Sequence, residues 1–154
     1  MTDGSRIHAT CVAVGEAGIL ITGASGAGKS SLALALIDDT RRRGGFARLV
    51  SDDRVCLEPR GGRLLARAHP AIAGKMEVRY GGIADVVHEE AVVVRLAIEL
   101  GGAAPRLPAG AEAVASYCGI AIPCLRFPPA GGGIPLPNLH AAVEFLRTAT
   151  YLRR

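Results

Sequence analysis

Eight consecutive residues carry the clearest chemical signal in the sequence. Residues 23–30 fit the pattern G-x-x-x-x-G-K-[ST] of a phosphate-binding loop, and they are Gly23, Ala24, Ser25, Gly26, Ala27, Gly28, Lys29 and Ser30. The glycines let backbone N–H groups turn inward around phosphate oxygens, and the start of a following helix adds partial positive charge. The lysine would reach the β- and γ-phosphates of a nucleotide, and the serine hydroxyl would ligate Mg²⁺. A glycine-rich turn can imitate this pattern, but lysine is scarce here, with Lys75 the only other one.

A second signal is the pair of acids Asp52 and Asp53, which directly follows the strand-like residues 46–51. A strand that ends in an acid after a phosphate-loop helix has the arrangement of a Walker-B aspartate. Two adjacent acids could divide metal handling and proton transfer between them. The alternative is a simple turn in which an Asx side chain caps the backbone.

Other polar residues give weaker signals. Glu77 and Arg79 lie two apart in a strand-like segment, so their side chains would share a face. If that face meets the phosphate loop, Glu77 can serve Mg²⁺ and Arg79 can serve phosphate; otherwise the two form an exposed ion pair. Arg106 lies in a Pro/Gly-rich loop, where spacing alone favours an ordinary surface residue over a phosphate clamp. His8 stands at the start of the first predicted strand.

The elements that must position these residues follow from apolar periodicity. Residues 7–14 and 19–22 predict a hairpin that leads into the phosphate loop, and residues 29–42 predict a helix that stops at two glycines. Further strands are predicted over residues 46–51, 54–58, 63–67, 71–79, 91–100 and 120–127. Pro123 places the last strand near a sheet edge. After Asn138, a terminal amphipathic helix is predicted from apolar residues at positions 139, 142, 143, 146 and 149.

Length and composition predict one α/β domain over residues 1–154, with a mixed sheet, hairpins and few helices. The net charge is +4, but the only basic run is at residues 41–43, which favours a solvated helix end over a nucleic-acid surface. The four cysteines show no C-x-x-C spacing and are predicted to be buried, reduced thiols rather than disulfides or metal ligands. No signal-peptide pattern and no apolar run of about 18 residues is apparent, so we expect a cytoplasmic protein with no membrane span.

Four of these segments, in this order, resemble the kinase domain of the HPr kinase/phosphorylase family. Residues 8–12, His-Ala-Thr-Cys-Val, resemble its histidine strand, and residues 19–30 resemble its strand and phosphate loop. Residues 50–55, Val-Ser-Asp-Asp-Arg-Val, resemble its strand with a double aspartate. Residues 77–83, Glu-Val-Arg-Tyr-Gly-Gly-Ile, resemble its signature E-[IV]-R-G-x-G-[IL]. The resemblance covers most of the chain, roughly from His8 to Phe127.

The resemblance implies an ATP- and Mg²⁺-dependent kinase that phosphorylates a serine of the phosphocarrier protein HPr and reverses the reaction with phosphate. It implies the fold shared with phosphoenolpyruvate carboxykinase. The chain looks like the short form of the family, which consists of the kinase domain only. Because longer members form hexamers through this domain, a homo-oligomer is also implied.

The resemblance also implies a role for each matched position. The loop lysine and amides would hold the nucleotide phosphates, while Ser30 and Glu77 would hold Mg²⁺. Asp52 would take the proton of the acceptor serine and return it in the reverse reaction. His8 would help to set the charge of this site. Arg106, which with the following leucine resembles an Arg-Leu pair of the family, would steady the transferring phosphoryl group.

Departures from the family pattern leave two alternatives open. Ser31 stands where the family usually has an acid, and Tyr80 replaces the first glycine of the signature, which favours a related phosphate-loop kinase or phosphatase with another substrate. The loop over residues 127–138 has no Lys or Arg, whereas the family has basic residues there that serve dephosphorylation. That difference bears against the dephosphorylation half of the expected activity, and it leaves open a nucleotide-sensing module without phosphoryl transfer.

Overall fold

The structure is a computed structural model that describes residues 4–78, 81–101, 114–127, 139–141, 143, 144 and 148. The helix and strands of the described part are, in order, β1 (Ser5–Val14), β2 (Ala17–Gly23), α1 (Lys29–Arg42), β3 (Ala47–Ser51), β4 (Arg54–Arg60), β5 (Arg63–Arg67), β6 (Lys75–Val78), β7 (Gly82–Asp85), β8 (Ala91–Leu100), β9 (Val114–Tyr117) and β10 (Ile120–Phe127). The described residues between 139 and 148 are also helical. No helix in these ranges is both long enough and apolar enough to span a membrane.

Within these ranges, eight strands form one mixed sheet, and β6 and β7 form a separate hairpin. The mixed sheet has two halves: one contains β4 and β5, and the other contains β2, β3 and β10. The two long strands, β1 and β8, each belong to both halves. β1 first pairs with β4 and then with β2 and β3, while β8 starts beside β5 and ends between β2 and β10. The pairings of β8 with β2 and β10 are parallel, so the carboxyl ends of these three strands lie at one edge. Ligands of open α/β sheets bind at such an edge.

Two aliphatic clusters hold these layers together. The first lies between α1 and the half of the sheet that contains β2 and β8, where Leu32 and Leu36 of the helix pack against strand residues such as Ile21 and Ile98. Each of these leucines contributes about 1.5–3 kcal/mol through burial. The second cluster lies between the two halves of the sheet and joins Leu20 to Leu57 and similar residues. The end of β2 is therefore packed on both faces, which fixes the origin of the loop that follows it.

The structure confirms most of the predicted elements and revises two. The helix over 29–42 and the strands over 91–100 and 120–127 have the predicted bounds. The strand predicted over 71–79 begins only at Lys75, because backbone hydrogen bonds from Ile72 to His69 and from Lys75 to Ile72 close turns before it. β4 extends to Arg60, so the turn before β5 is only two residues long. β7 and β9 were not predicted.

The cysteines agree with prediction in part, and so does the proline of β10 in full. All four cysteines are free thiols; Cys11 and Cys124 are buried as predicted, whereas Cys56 and Cys118 are only partly buried. Pro123 lies where β10 passes from its pairing with β9 to its pairing with β8, next to the edge strand.

Candidate functional site

The phosphate loop spans the gap between the end of β2 and the start of α1, and three glycines shape it. Gly26 and Gly28 have φ of 81° and 100°, in the left-handed region that favours glycine. A Cβ on Gly23 would lie 2.8 Å from the carbonyl oxygen of Leu100, so the loop can leave β2 only in close contact with β8. The first turn of α1 has neither a side-chain cap nor an acid. Its amide groups are therefore available to an anion.

Lys29 is buried and folds back over the loop. Its side-chain ammonium donates hydrogen bonds to the carbonyl oxygens of Gly23 and Ala24, at 2.9 and 3.1 Å. The third contact of the same nitrogen, at 3.3 Å, is with Nε2 of His8. The three N–H groups of the ammonium are thereby matched to three acceptors within the loop and β1.

Asp52 is the buried acid of the site, with only 7% of its surface exposed. Its Oδ1 accepts a hydrogen bond from the Ser30 hydroxyl at 2.7 Å and another from the Thr10 hydroxyl at 3.0 Å. The antiparallel pairing of β1 with β3 brings the acid to this position, and its register shifts at Cys11 and Val12. Among the described residues, none donates a hydrogen bond to the second carboxylate oxygen, Oδ2. That oxygen is the one available to an incoming hydroxyl.

Asp53, next in sequence, points out to solvent and contacts His8. Its Oδ1 lies 3.1 Å from Nδ1 of His8, and its side chain is 67% exposed. Because the Lys29 ammonium can only donate, Nε2 of His8 must accept, which places the imidazole proton on Nδ1 and directs it to Asp53. The adjacent acids therefore make different contacts, Asp52 with the loop serine and Asp53 with the histidine, and the predicted division of metal handling and proton transfer stays a prediction.

The oxygen groups at Ser30 and Asp52 fit Mg²⁺. The cation prefers oxygen ligands and is usually held by one or two carboxylates together with substrate phosphates and water. Glu77, the other predicted metal ligand, is exposed on β6, and no hydrogen bond or ion pair joins it to Ser30. Its predicted role stays a prediction. Arg79, Tyr80, Arg106 and residues 128–138 lie outside the described residues, so the roles assigned to them also stay predictions.

Sequence reasoning did not single out Thr10, which the structure places in hydrogen-bond contact with Asp52. Thr10 is fully buried in a strand whose neighbouring residues are apolar. A hydroxyl in such a place needs a buried partner, because an unsatisfied buried polar group is costly. The feature of the sequence that could have identified Thr10 as a site residue is its position two residues after His8.

A strand, a glycine loop and a helix with a buried acid beside them define a phosphate-loop α/β domain. The family model described as HPr Serine kinase C-terminal domain matches residues 1–99. The chain belongs to this family.

Individual relatives agree with the family model. The HPr kinase/phosphorylase of Clostridium beijerinckii is 46% identical over 82 residues, which are 53% of this chain and 25% of that protein. The HPr kinase/phosphorylase of Mycoplasma mycoides is 35% identical over 80 residues, covering 52% of this chain and 24% of that protein. The chain thus matches about a quarter of the length of these relatives. The solved structure of the Hpr(Ser) kinase/phosphatase from Coxiella burnetii superposes with a TM-score of 0.72 at 29% identity, covering 97% of both chains. The predicted mixed α/β fold is confirmed.

Proposed function

We propose that this chain is an ATP-dependent serine protein kinase that phosphorylates an HPr-type phosphocarrier protein and removes the phosphate again with inorganic phosphate. The names of its relatives suggest both directions. The observation that carries the proposal is the position of Asp52, whose carboxylate lies 2.7 Å from the phosphate-loop serine and has one oxygen available. A buried carboxylate beside the phosphates is what proton removal from an acceptor hydroxyl requires.

Binding of ATP begins with the loop. The amides of residues 23–30 and the N-terminus of α1 surround the β- and γ-phosphates, and Lys29 exchanges its loop carbonyls for phosphate oxygens. Mg²⁺, held by the Ser30 hydroxyl and Asp52, would neutralise charge on the phosphates. Thr10 keeps the carboxylate of Asp52 oriented during this exchange, because its hydrogen bond to Oδ1 does not involve the loop.

In the transfer step, the protein's part is to position the reactants, accept one proton and balance charge. The serine oxygen of the carrier protein bonds to the γ-phosphorus while the bond from that phosphorus to the β,γ-bridging oxygen breaks, releasing ADP. Oδ2 of Asp52 accepts the serine proton. In the reverse direction, an oxygen of inorganic phosphate bonds to the phosphorus of the phosphoserine while the bond from that phosphorus to the serine oxygen breaks, which forms pyrophosphate. Asp52 takes the proton of the attacking phosphate and gives it to the departing serine oxygen. The ammonium of Lys29, which Nε2 of His8 contacts at 3.3 Å, balances the negative charge that collects here.

The remaining parts of the proposal concern residues and properties beyond this cluster. Glu77 would complete the Mg²⁺ shell, and Arg106 would steady the transferring phosphoryl group. We further propose a cytoplasmic homo-oligomer, a hexamer by family resemblance, that acts without nucleic acid or membrane.

A phosphotransfer assay tests the proposal. The protein is incubated with ATP labelled at the γ-phosphate, Mg²⁺ and HPr, beside an HPr whose acceptor serine is replaced by alanine. We expect label on the wild-type carrier only, and its release as labelled pyrophosphate when excess phosphate is added. Label on neither carrier, with ATP binding intact, would reject HPr as the acceptor and favour a kinase for another acceptor or a nucleotide sensor.

A further inference from the structure

A row of polar side chains crosses the carboxyl edge of the sheet on the side of the phosphate loop away from Asp52. In the parallel pairing of β2 with β8, Thr22 is opposite Glu99, and in the pairing of β8 with β10, Glu99 is opposite Arg126. Residues directly opposite each other in neighbouring strands point to the same face. The three side chains therefore form one line that starts at the residue before the loop.

The centre of this row is a preformed ion pair that solvent can reach. Arg126 donates through Nε to Oε2 of Glu99 at 2.8 Å, and the two side chains are 36% and 32% exposed. Tyr117 lies against the pair: burial raises the pKa of its phenol, and the Thr22 hydroxyl opposes part of that rise. The Glu99 carboxylate is the charged acceptor that the row offers to a ligand.

The geometry of the phosphate loop indicates what such a ligand would be. The groups that act on the transferring phosphate, including Ser30 and Asp52, lie on the β1 and β3 side of β2. A nucleotide with its terminal phosphate on that side has room to extend its nucleoside toward the other neighbour of β2. The neighbour of β2 on the other side is β8, and Glu99 is the acid at the end of that strand.

We propose that Glu99 and Arg126 form the nucleoside subsite. The carboxylate of Glu99 accepts hydrogen bonds from the ribose hydroxyls, a contact that acids make in other nucleotide-binding folds. Arg126 is a positioning residue that holds the carboxylate toward the ligand, and its planar guanidinium offers a surface on which a base can stack. The proposal rests on the nucleotide binding contained in the proposed function, but not on the identity of the acceptor.

The test compares two ligands that share phosphates but differ in the nucleoside. Calorimetric titrations measure the Kd of ADP and of pyrophosphate, both with Mg²⁺, for wild type, Glu99→Gln and Arg126→Gln. We expect Glu99→Gln to raise the Kd of ADP about tenfold or more, which is the scale of losing a charged hydrogen bond. The Kd of pyrophosphate should change less than about twofold. The preference for ADP over 2′-deoxy-ADP should also shrink. Arg126→Gln should weaken ADP in the same selective way, and Arg126→Lys should recover part of the loss.

A matched control is Glu58→Gln, which breaks a comparable glutamate–arginine pair with Arg60 at 2.8 Å on β4. This variant should leave the Kd values of ADP and of pyrophosphate unchanged. Thermal unfolding of each variant distinguishes an effect on binding from a loss of folded protein. Equal weakening of ADP and pyrophosphate by Glu99→Gln, or no change in either, would overturn the nucleoside subsite. So would a wild-type protein that binds ADP no more tightly than pyrophosphate. A wild-type protein that binds ADP with the expected variant pattern, yet never labels HPr, would reject the acceptor and leave the subsite standing.

Discussion

Replacing Asp52 by asparagine tests the central assignment, because the substitution removes the proton acceptor and keeps the shape of the side chain. Loss of a general base slows a reaction by about 10²–10⁴-fold, which raises the barrier by about 2.7–5.5 kcal/mol. The amide oxygen can still accept from Ser30 and Thr10, which now donate at 2.7 and 3.0 Å. Two hydrogen bonds to a neutral acceptor are each about 1 kcal/mol weaker than to a charged one, and removal of a buried charge offsets part of this. The free energy of unfolding should therefore fall by at most about 2 kcal/mol.

The assay measures the single-turnover rate of phosphotransfer at saturating ATP, together with the Kd of ADP and the melting temperature. At about 2–4 °C per kcal/mol for a chain of this size, Tm should drop by no more than about 8 °C. Asp53→Asn is the matched control: the same chemical change, one residue away, on a side chain that is 67% exposed. It should slow transfer less than about tenfold. A rate for Asp52→Asn within about threefold of wild type would refute the assignment, as would an equal loss in Asp53→Asn.

Three further substitutions test the loop and the core. Gly28→Ala places a side chain at φ 100°, at a cost of about 1–2 kcal/mol in stability, and should weaken pyrophosphate binding. The control Gly62→Ala, at φ 76° in an open turn, should cost similar stability without affecting binding. Equal losses of binding in the two variants would contradict the role of Gly28. Lys29→Met should raise the Kd of ADP about tenfold or more in a titration, whereas Lys75→Met, which changes the other lysine, should leave the Kd unchanged. Equal losses of ADP affinity in the two variants would reject the role of Lys29. Burial raises the pKa of Cys11 from 9.0 to about 12, so the unfolded chain loses this proton first, and urea unfolding should show stability falling as pH rises from about 9. Cys11→Ala should flatten that fall, and an unchanged slope would disprove the linkage.

Local elements were predictable wherever the signal is continuous in sequence. The phosphate loop is one uninterrupted motif, and the apolar run of β8 is long enough to define its own ends. β7 and β9 have only four residues each, and too few apolar positions alternate in them to indicate a strand.

Assembly of the site was predictable only in part. Asp52 could be placed near the loop from its position in the chain, but its contact with Thr10 depends on the register of β1 against β3. That register includes the irregularity at Cys11 and Val12, which no residue type in the sequence marks. The contact of Glu99 with Arg126 likewise requires a parallel alignment of strands whose partners are 27 positions apart. Strand register arises from packing of the whole sheet, so single-segment patterns do not contain it.

The folded-back position of Lys29 has a consequence for which anions the loop selects. All three N–H donors of the Lys29 ammonium already have acceptors, so an incoming anion must replace these contacts before it gains from the positive charge. A single phosphate or sulfate offers few oxygens for this exchange, and a chain of two or three phosphates offers many. The loop therefore favours polyphosphates, whose several oxygens can displace all three acceptors together, over a single phosphate, which must be in excess for the reverse reaction.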